Sequence, residues 1–191
     1  MPNYCNNQIT FSVKKEENRH LLDTLAQEFK TKNEILNVLR PMPEEYREGD
    51  KWYDWSCDNW GTKWDMMDDC DITQYSHDLC VSGNSAWSPP EAALLYYHLQ
   101  HPEITIDILY FEPGMSFAGH IRYEGGEEIE VAHMDDIASS GHTKEEWETD
   151  NTEFGEYFSA MMADYWDHYG LDSDDDPIIP ESSDVGGLDK E

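Results

Sequence analysis

The stretch Ser88-Pro89-Pro90-Glu91-Ala92-Ala93-Leu94-Leu95-Tyr96-Tyr97-His98-Leu99-Gln100-His101-Pro102 runs almost directly into Ile104-Thr105-Ile106-Asp107-Ile108-Leu109-Tyr110, and this junction decides the fold class. The first half opens as a helix does. Ser88 stands as N-cap, prolines fill the first turn and Glu91 takes the capping-box position. Ala92, Leu95, Tyr96 and Leu99 recur at helical spacing and predict the buried stripe, and His101-Pro102 stops the helix. The second half changes period: Ile104, Ile106, Ile108 and Tyr110 alternate with less apolar positions, as one face of a strand requires.

Working outward, the same two periods recur. Ile9, Phe11 and Val13 alternate in a strand over 8–13, and Leu21, Leu22, Leu25, Ala26 and Phe29 predict an amphipathic helix over 16–31. Residues 35–39 are a short apolar run halted by Arg40-Pro41-Met42-Pro43. The polar, Trp-rich segment 44–58 reads as a long loop. Lys63 to Met67 and Asp78 to Ser82 read as strands, and Phe117 to Tyr123 and Glu128 to Val131 as a hairpin around Gly125-Gly126. The resulting order is β-α-β-β-α-β with one added hairpin strand. The expected class is therefore α+β: a ferredoxin-like split βαβ sandwich, with two helices on one face of an antiparallel sheet.

Past residue 133 the pattern differs. Thr143-Lys144-Glu145-Glu146 is a capping box, and Phe154, Tyr157, Phe158, Met161, Met162, Tyr165, Trp166 and Tyr169 form a sustained aromatic stripe ended by Gly170. The expected organisation is a ferredoxin-like domain over 1–133, an added acidic amphipathic helix over 134–170 and a flexible acidic tail over 171–191. A two-layer sandwich leaves one sheet face open, where the stripe would dock. Glu145, Glu148, Glu153 and Glu156 would then face solvent.

Charge limits the partners. The 191 residues carry 42 Asp+Glu against 12 Lys+Arg, a formal net charge of -30. Residues 134–191 alone hold 18 acids and two lysines (Lys144, Lys190). Direct binding to nucleic acid or to an anionic membrane is disfavoured, because phosphate contacts need clustered Lys and Arg. The four cysteines form no C-x-x-C pair, and no apolar stretch resembles a leader or a membrane span, so a cytoplasmic protein with reduced thiols is expected.

Four blocks have an unusual order of residues: Pro2-Asn3-Tyr4-Cys5-Asn6-Asn7, Asn59-Trp60-Gly61-Thr62-Lys63-Trp64-Asp65, Ala86-Trp87-Ser88-Pro89-Pro90, and Tyr110-Phe111-Glu112-Pro113-Gly114 followed by Phe117-Ala118-Gly119. Together, over residues 2–125, they make the chain resemble the YubB-like family, small proteins of bacterial plasmids and phages with a ferredoxin-like domain. The resemblance implies a fold and a mobile-element origin and carries no activity with it. The C-terminal acidic part extends beyond it.

The second block is the candidate site. Trp60, Trp64 and Trp87 would line a groove, with Asn59, Lys63 and Asp65 as its polar groups and Lys63 paired to Asp65 or Asp58. The more economical reading is a core-anchoring turn, since Trp with Gly more often solves packing than chemistry. Other constellations are weaker. Asp172-Ser173-Asp174-Asp175-Asp176 opens like a calcium loop but has Pro177 where Gly is needed, and His98 and His101 read as a surface pair without zinc spacing. No nucleotide-binding or nucleophile-elbow motif is present. The expected function is a non-enzymatic accessory factor, without cofactor or metal, whose acids bind a basic host or element protein, by imitating nucleic acid or inhibiting a defence protein. The alternative is a sensor or enzyme using the Trp60/Trp64/Trp87 region.

Overall fold

The computed structural model describes residues 3–66, 70–112, 115 and 117–134, and the chain divides between Asp135 and Asp136. The expected C-terminal helix, its tail and Glu145, Glu148, Glu153 and Glu156 lie outside the described residues.

The described residues form an α+β structure on a six-stranded antiparallel sheet. The strands are β1 (Tyr4–Val13), β2 (Asp71–Gln74), β3 (Asp78–Ala86), β4 (Ile104–Glu112), β5 (Phe117–Glu124) and β6 (Glu127–Met134), ordered β2-β3-β1-β4-β5-β6. The helices are α1 (Arg19–Lys32), α2 (Leu36–Leu39), α3 (Glu44–Arg47), α4 (Lys51–Trp60) and α5 (Glu91–Gln100).

β1 shows why the sheet has an inside. Cys5, Asn7, Ile9, Phe11 and Val13 are all buried, and the residues between them are exposed or half-buried. Ile9 sits opposite Val81 of β3 on one side and Ile108 of β4 on the other, so one buried row crosses three strands. The Phe11 ring lies 6.0 Å from Phe29 of α1 and 6.2 Å from Tyr97 of α5. One side chain touches both long helices, which puts them on the same face of the sheet. Each fully buried Ile, Leu or Phe in this layer contributes about 1.5–3 kcal/mol relative to exposure.

Five expectations need correction. The segment read as a loop over 44–58 contains α3 and α4, ended by Gly61 in the left-handed region at φ 84°. The strand expected over 63–67 is not found in its described part: residues 61–66 bend without pairing into the sheet, and the edge strand is β2, at Asp71–Gln74. The α5 stripe is also rotated. Ala93, Leu94 and His98 are buried, whereas Tyr96 and Leu99 are exposed. Ser88 does not cap α5, because its hydroxyl donates to Gly61 O (2.5 Å).

His98 explains the rotation. It is fully buried, not a surface residue: its Nδ1 lies 2.9 Å from Ile104 O, and its Nε2 accepts from Gly126 N–H at 2.9 Å. These partners fix the neutral tautomer with the proton on Nδ1. A histidine with both nitrogens satisfied by backbone is as admissible inside as a leucine.

At the β4–β5 pair, Tyr110 stands opposite Gly119, and a Cβ on Gly119 would lie 2.4 Å from the Tyr110 ring. The missing side chain is what lets the ring lie flat across β5. Gly119→Ala is expected to cost about 1–3 kcal/mol in urea denaturation, since the buried ring has to shift. Much of that cost should vanish in a Tyr110→Leu background.

Candidate functional site

The block 59–65 is pinned at both ends by backbone. The Thr62 hydroxyl donates to Ala86 O (2.9 Å) and accepts from Ala86 N–H (2.8 Å), so one buried side chain closes on the last residue of β3. A side chain on Gly61 would be strained here, because its φ is 84° and a Cβ would lie 3.2 Å from Pro89 O. The Ser56 hydroxyl donates to Lys63 O (2.7 Å), holding the turn back against α4.

Asp65 is a structural cap. Its Oδ1 accepts from Ile35 N–H and Leu36 N–H, both at 2.9 Å, and from Met66 N–H at 2.7 Å; its Oδ2 accepts from Asn37 N–H at 2.8 Å. The first turn of α2 therefore finds its acceptor thirty residues downstream. Burial pushes the Asp65 carboxyl above the usual carboxylate value, against the pull of these four donors.

Asn59 and Trp60 are also committed to structure. Arg40 donates to Asn59 O (3.0 Å) and to Asn59 Oδ1, and Trp60 Nε1–H donates to Arg40 O at 2.8 Å. The Arg40 guanidinium sits 4.7 Å from the Tyr96 ring centre and supplies a cation at the C-terminal end of α4. Trp60 is buried and packs edge-on to Trp55 at 5.5 Å. It therefore leaves the proposed groove with Trp64 and Trp87.

What the fold does assemble is a cluster around Lys63. Its Nζ lies 5.1 Å from the Trp64 ring centre, 5.3 Å from Trp87 and 5.6 Å from Tyr53. All three are within reach of a cation–π attraction. Lys63 makes no ion pair among the described residues, so the expected pairing with Asp65 or Asp58 is replaced by contact with rings. Trp87 is 40% exposed and Tyr53 39%, so the cluster opens to solvent.

Trp87 reaches this position through an unfavourable backbone. Its φ is 69°, left-handed, at a cost of about 1–2 kcal/mol for a bulky residue. Its N–H donates to Asn3 O (3.0 Å), and the next residue's N–H returns to Ala86 O (2.9 Å). Tyr53 was missed from sequence because its helix was read as loop. A glycine one position past an aromatic run, Trp60-Gly61, is the C-terminal signal that would have placed it.

Beside the cluster, α4 carries acids. Asp50 at the N-cap, and Asp54 and Asp58 within the helix, stand at i, i+4 and i+8, all exposed, opposite the face that buries Ser56 and Trp60. Successive acids on such a row are about 5–6 Å apart. Glu44, Glu45 and Glu48 continue the exposed acid toward α3. Burial, and the carboxylates of Asp54 and Asp58, push the Cys57 thiol up, although a Tyr53 hydrogen bond and Lys63 pull it down.

A second polar cluster lies on the sheet face opposite the helices. Asp107 Oδ1 accepts from Arg122 Nε (2.8 Å) and pairs with His120 Nε2 at 2.8 Å. Burial alone would raise the Asp107 carboxyl, but its bonds to His120 and Arg122 hold it below the usual value. Among the described residues no group of three or more His, Cys, Asp and Glu could hold a metal ion, and no helix is long and apolar enough to cross a membrane.

Two outcomes follow. Asp65→Asn turns an amide NH2 toward Asn37 N–H and is expected to cost about 1–3 kcal/mol in denaturant melts, while Lys63→Ala should cost under about 1 kcal/mol. Because the folded Asp107 value is lowered, its stabilisation is present above the unfolded pKa of about 3.9 and lost as pH falls through the folded one. Asp107→Asn should therefore flatten the loss of melting temperature below about pH 4 relative to the parent.

No family model and no curated protein matches this chain. A solved structure with some similarity is the protein api92 from Yersinia pseudotuberculosis, of the family DUF1281. It is 17% identical with a TM-score of 0.38, over 46% of this chain and 30% of that one.

Proposed function

We propose that this chain is a non-enzymatic accessory protein of a mobile genetic element that binds a basic protein, of the host or of the element, through an acidic surface. Carboxylates held in a row on a helix stand in for the phosphates of a nucleic-acid strand, so the partner is a protein with a basic, nucleic-acid-binding face. The observation that carries this reading is the Asp50/Asp54/Asp58 row of α4, exposed on a packed helix beside the exposed rings of Tyr53 and Trp87. Acids fixed on a packed element lose little freedom on binding, which makes their complementarity selective. The further acids Glu145, Glu148, Glu153 and Glu156 lie outside the described residues and add to the negative charge that a basic partner would meet.

The mobile-element assignment follows the YubB-like resemblance of the four sequence blocks. The finer fold reading, a ferredoxin-like split βαβ unit, is supported by the order β2-β3-β1-β4 with two helices on one face; β5 and β6 then extend it. A cytoplasmic setting agrees with the absence of a disulfide among the described residues.

The test is affinity purification from the host cell with the parent and with Asp50→Asn/Asp54→Asn/Asp58→Asn side by side. The reading expects a basic protein held by the parent at about 0.1 M salt, displaced by duplex DNA, and lost from the triple variant. A partner that the triple variant and the Glu145/Glu148/Glu153/Glu156→Gln variant both retain with parental affinity would sink it.

A further inference from the structure

We propose that Tyr53, Trp64 and Trp87 form a receptor for one cationic side chain of a basic protein partner, which enters in exchange for Lys63. The inference rests on the acidic-surface reading above and adds to it the group that is recognised. Three rings surround a single ammonium at 5.1, 5.3 and 5.6 Å, so the negative ring faces already converge on one point where a cation sits. Lys63 makes no ion pair among the described residues, where its head is met by these ring contacts. Its backbone is fixed independently by the Ser56 hydroxyl on Lys63 O (2.7 Å). The side chain can therefore leave without disturbing the turn.

Exchange is favoured over addition because the rings converge on one nitrogen, and a second cation a few ångströms away would repel the first. A cation is favoured over an anion because the flank of this cluster is acidic. The Cys57 thiol feels Asp54 and Asp58 together with Lys63, so this lysine stands among carboxylates. An approaching basic protein meets the Asp50/Asp54/Asp58 row first, and that row delivers a Lys or Arg to the rings beside it. The left-handed backbone of Trp87 keeps the second indole turned outward and ready. Lys63 itself keeps the rings apart in the free protein, so binding needs only its side chain to swing out.

The test uses the full chain labelled with 15N on the indoles and titrated with tetramethylammonium chloride against sodium chloride at equal ionic strength. A monovalent probe is chosen because it reads the rings without the many-charge attraction that any polycation has for this chain. Saturable shifts are expected at the indoles of Trp64 and Trp87 and not at the other five of the seven tryptophans. Lys63→Met and Lys63→Gln, each checked by thermal unfolding, should bind the probe about threefold or more tightly than the parent, because the internal competitor is gone. Trp87→Ala should abolish the shift at Trp64. Equal or weaker binding by both Lys63 variants, or shifts spread evenly over all seven indoles, overturns the exchange. That result leaves the acidic-surface reading standing if the α4 triple variant still releases the basic protein. Parental retention by that variant removes the partner while a Trp64/Trp87-specific shift would still stand as a cation site.

Discussion

Every layer of the described fold is referred to β1. It pairs with β3 on one side and β4 on the other, so the two halves of the sheet are held in register by one strand. Its buried face is continuous from Cys5 to Val13, and Phe11 in the middle of it touches an aromatic ring from each long helix. A slip of one residue would turn this entire face outward. Asn7 adds a polar lock at the same strand: its side-chain amide donates to Cys5 O (2.8 Å) and to Ser85 Oγ (2.9 Å), which ties β1 to the end of β3 that carries Trp87.

The segment between α1 and β2 depends on a different constraint. Helices α2 and α3 are four residues each, too short to stand on propensity alone. α2 persists because a distant carboxylate satisfies its backbone: Asp65 receives the N–H groups of its first turn, and Asn37 Oδ1 receives Met42 N–H at 2.8 Å in the stretch between the two helices. Thr62 closes the same segment onto β3. The polar residues of the Asn59–Asp65 block are thus spent on structure, with the exception of Lys63. What remains available to a partner is the aromatic rim and the acid row, and both face solvent because Ser56 and Trp60 face in.

Much of this was legible in the sequence, and the failures share a cause. β1, α1, β3, α5, β4 and the terminal hairpin were found because their apolar residues repeat at two or 3.6 and their ends carry turn chemistry. α4 was missed since Trp, Tyr and Asp dominate it, and such residues are poor helix formers whose helicity comes from packing. β2 was placed too early because Lys63-Trp64-Asp65 alternates in polarity, whereas its real role is to turn back and cap α2. The α5 stripe was rotated because His98 was counted as a surface residue.

The sequence by itself determined the α+β class, the strong acidity and the presence of a tryptophan-rich block around Gly61, because these follow from periodicity and composition, which are local. Only the tertiary structure decided which rings meet. Trp60 goes inward because Arg40, twenty residues earlier, offers its carbonyl, and Trp87 joins Lys63 because Thr62 and Asn3 hold the end of β3 in a left-handed turn. Tyr53 completes the cluster through a helix whose existence depends on its neighbours. Contacts between residues far apart in sequence leave no local signature, so their partners become visible only when the backbone brings them together.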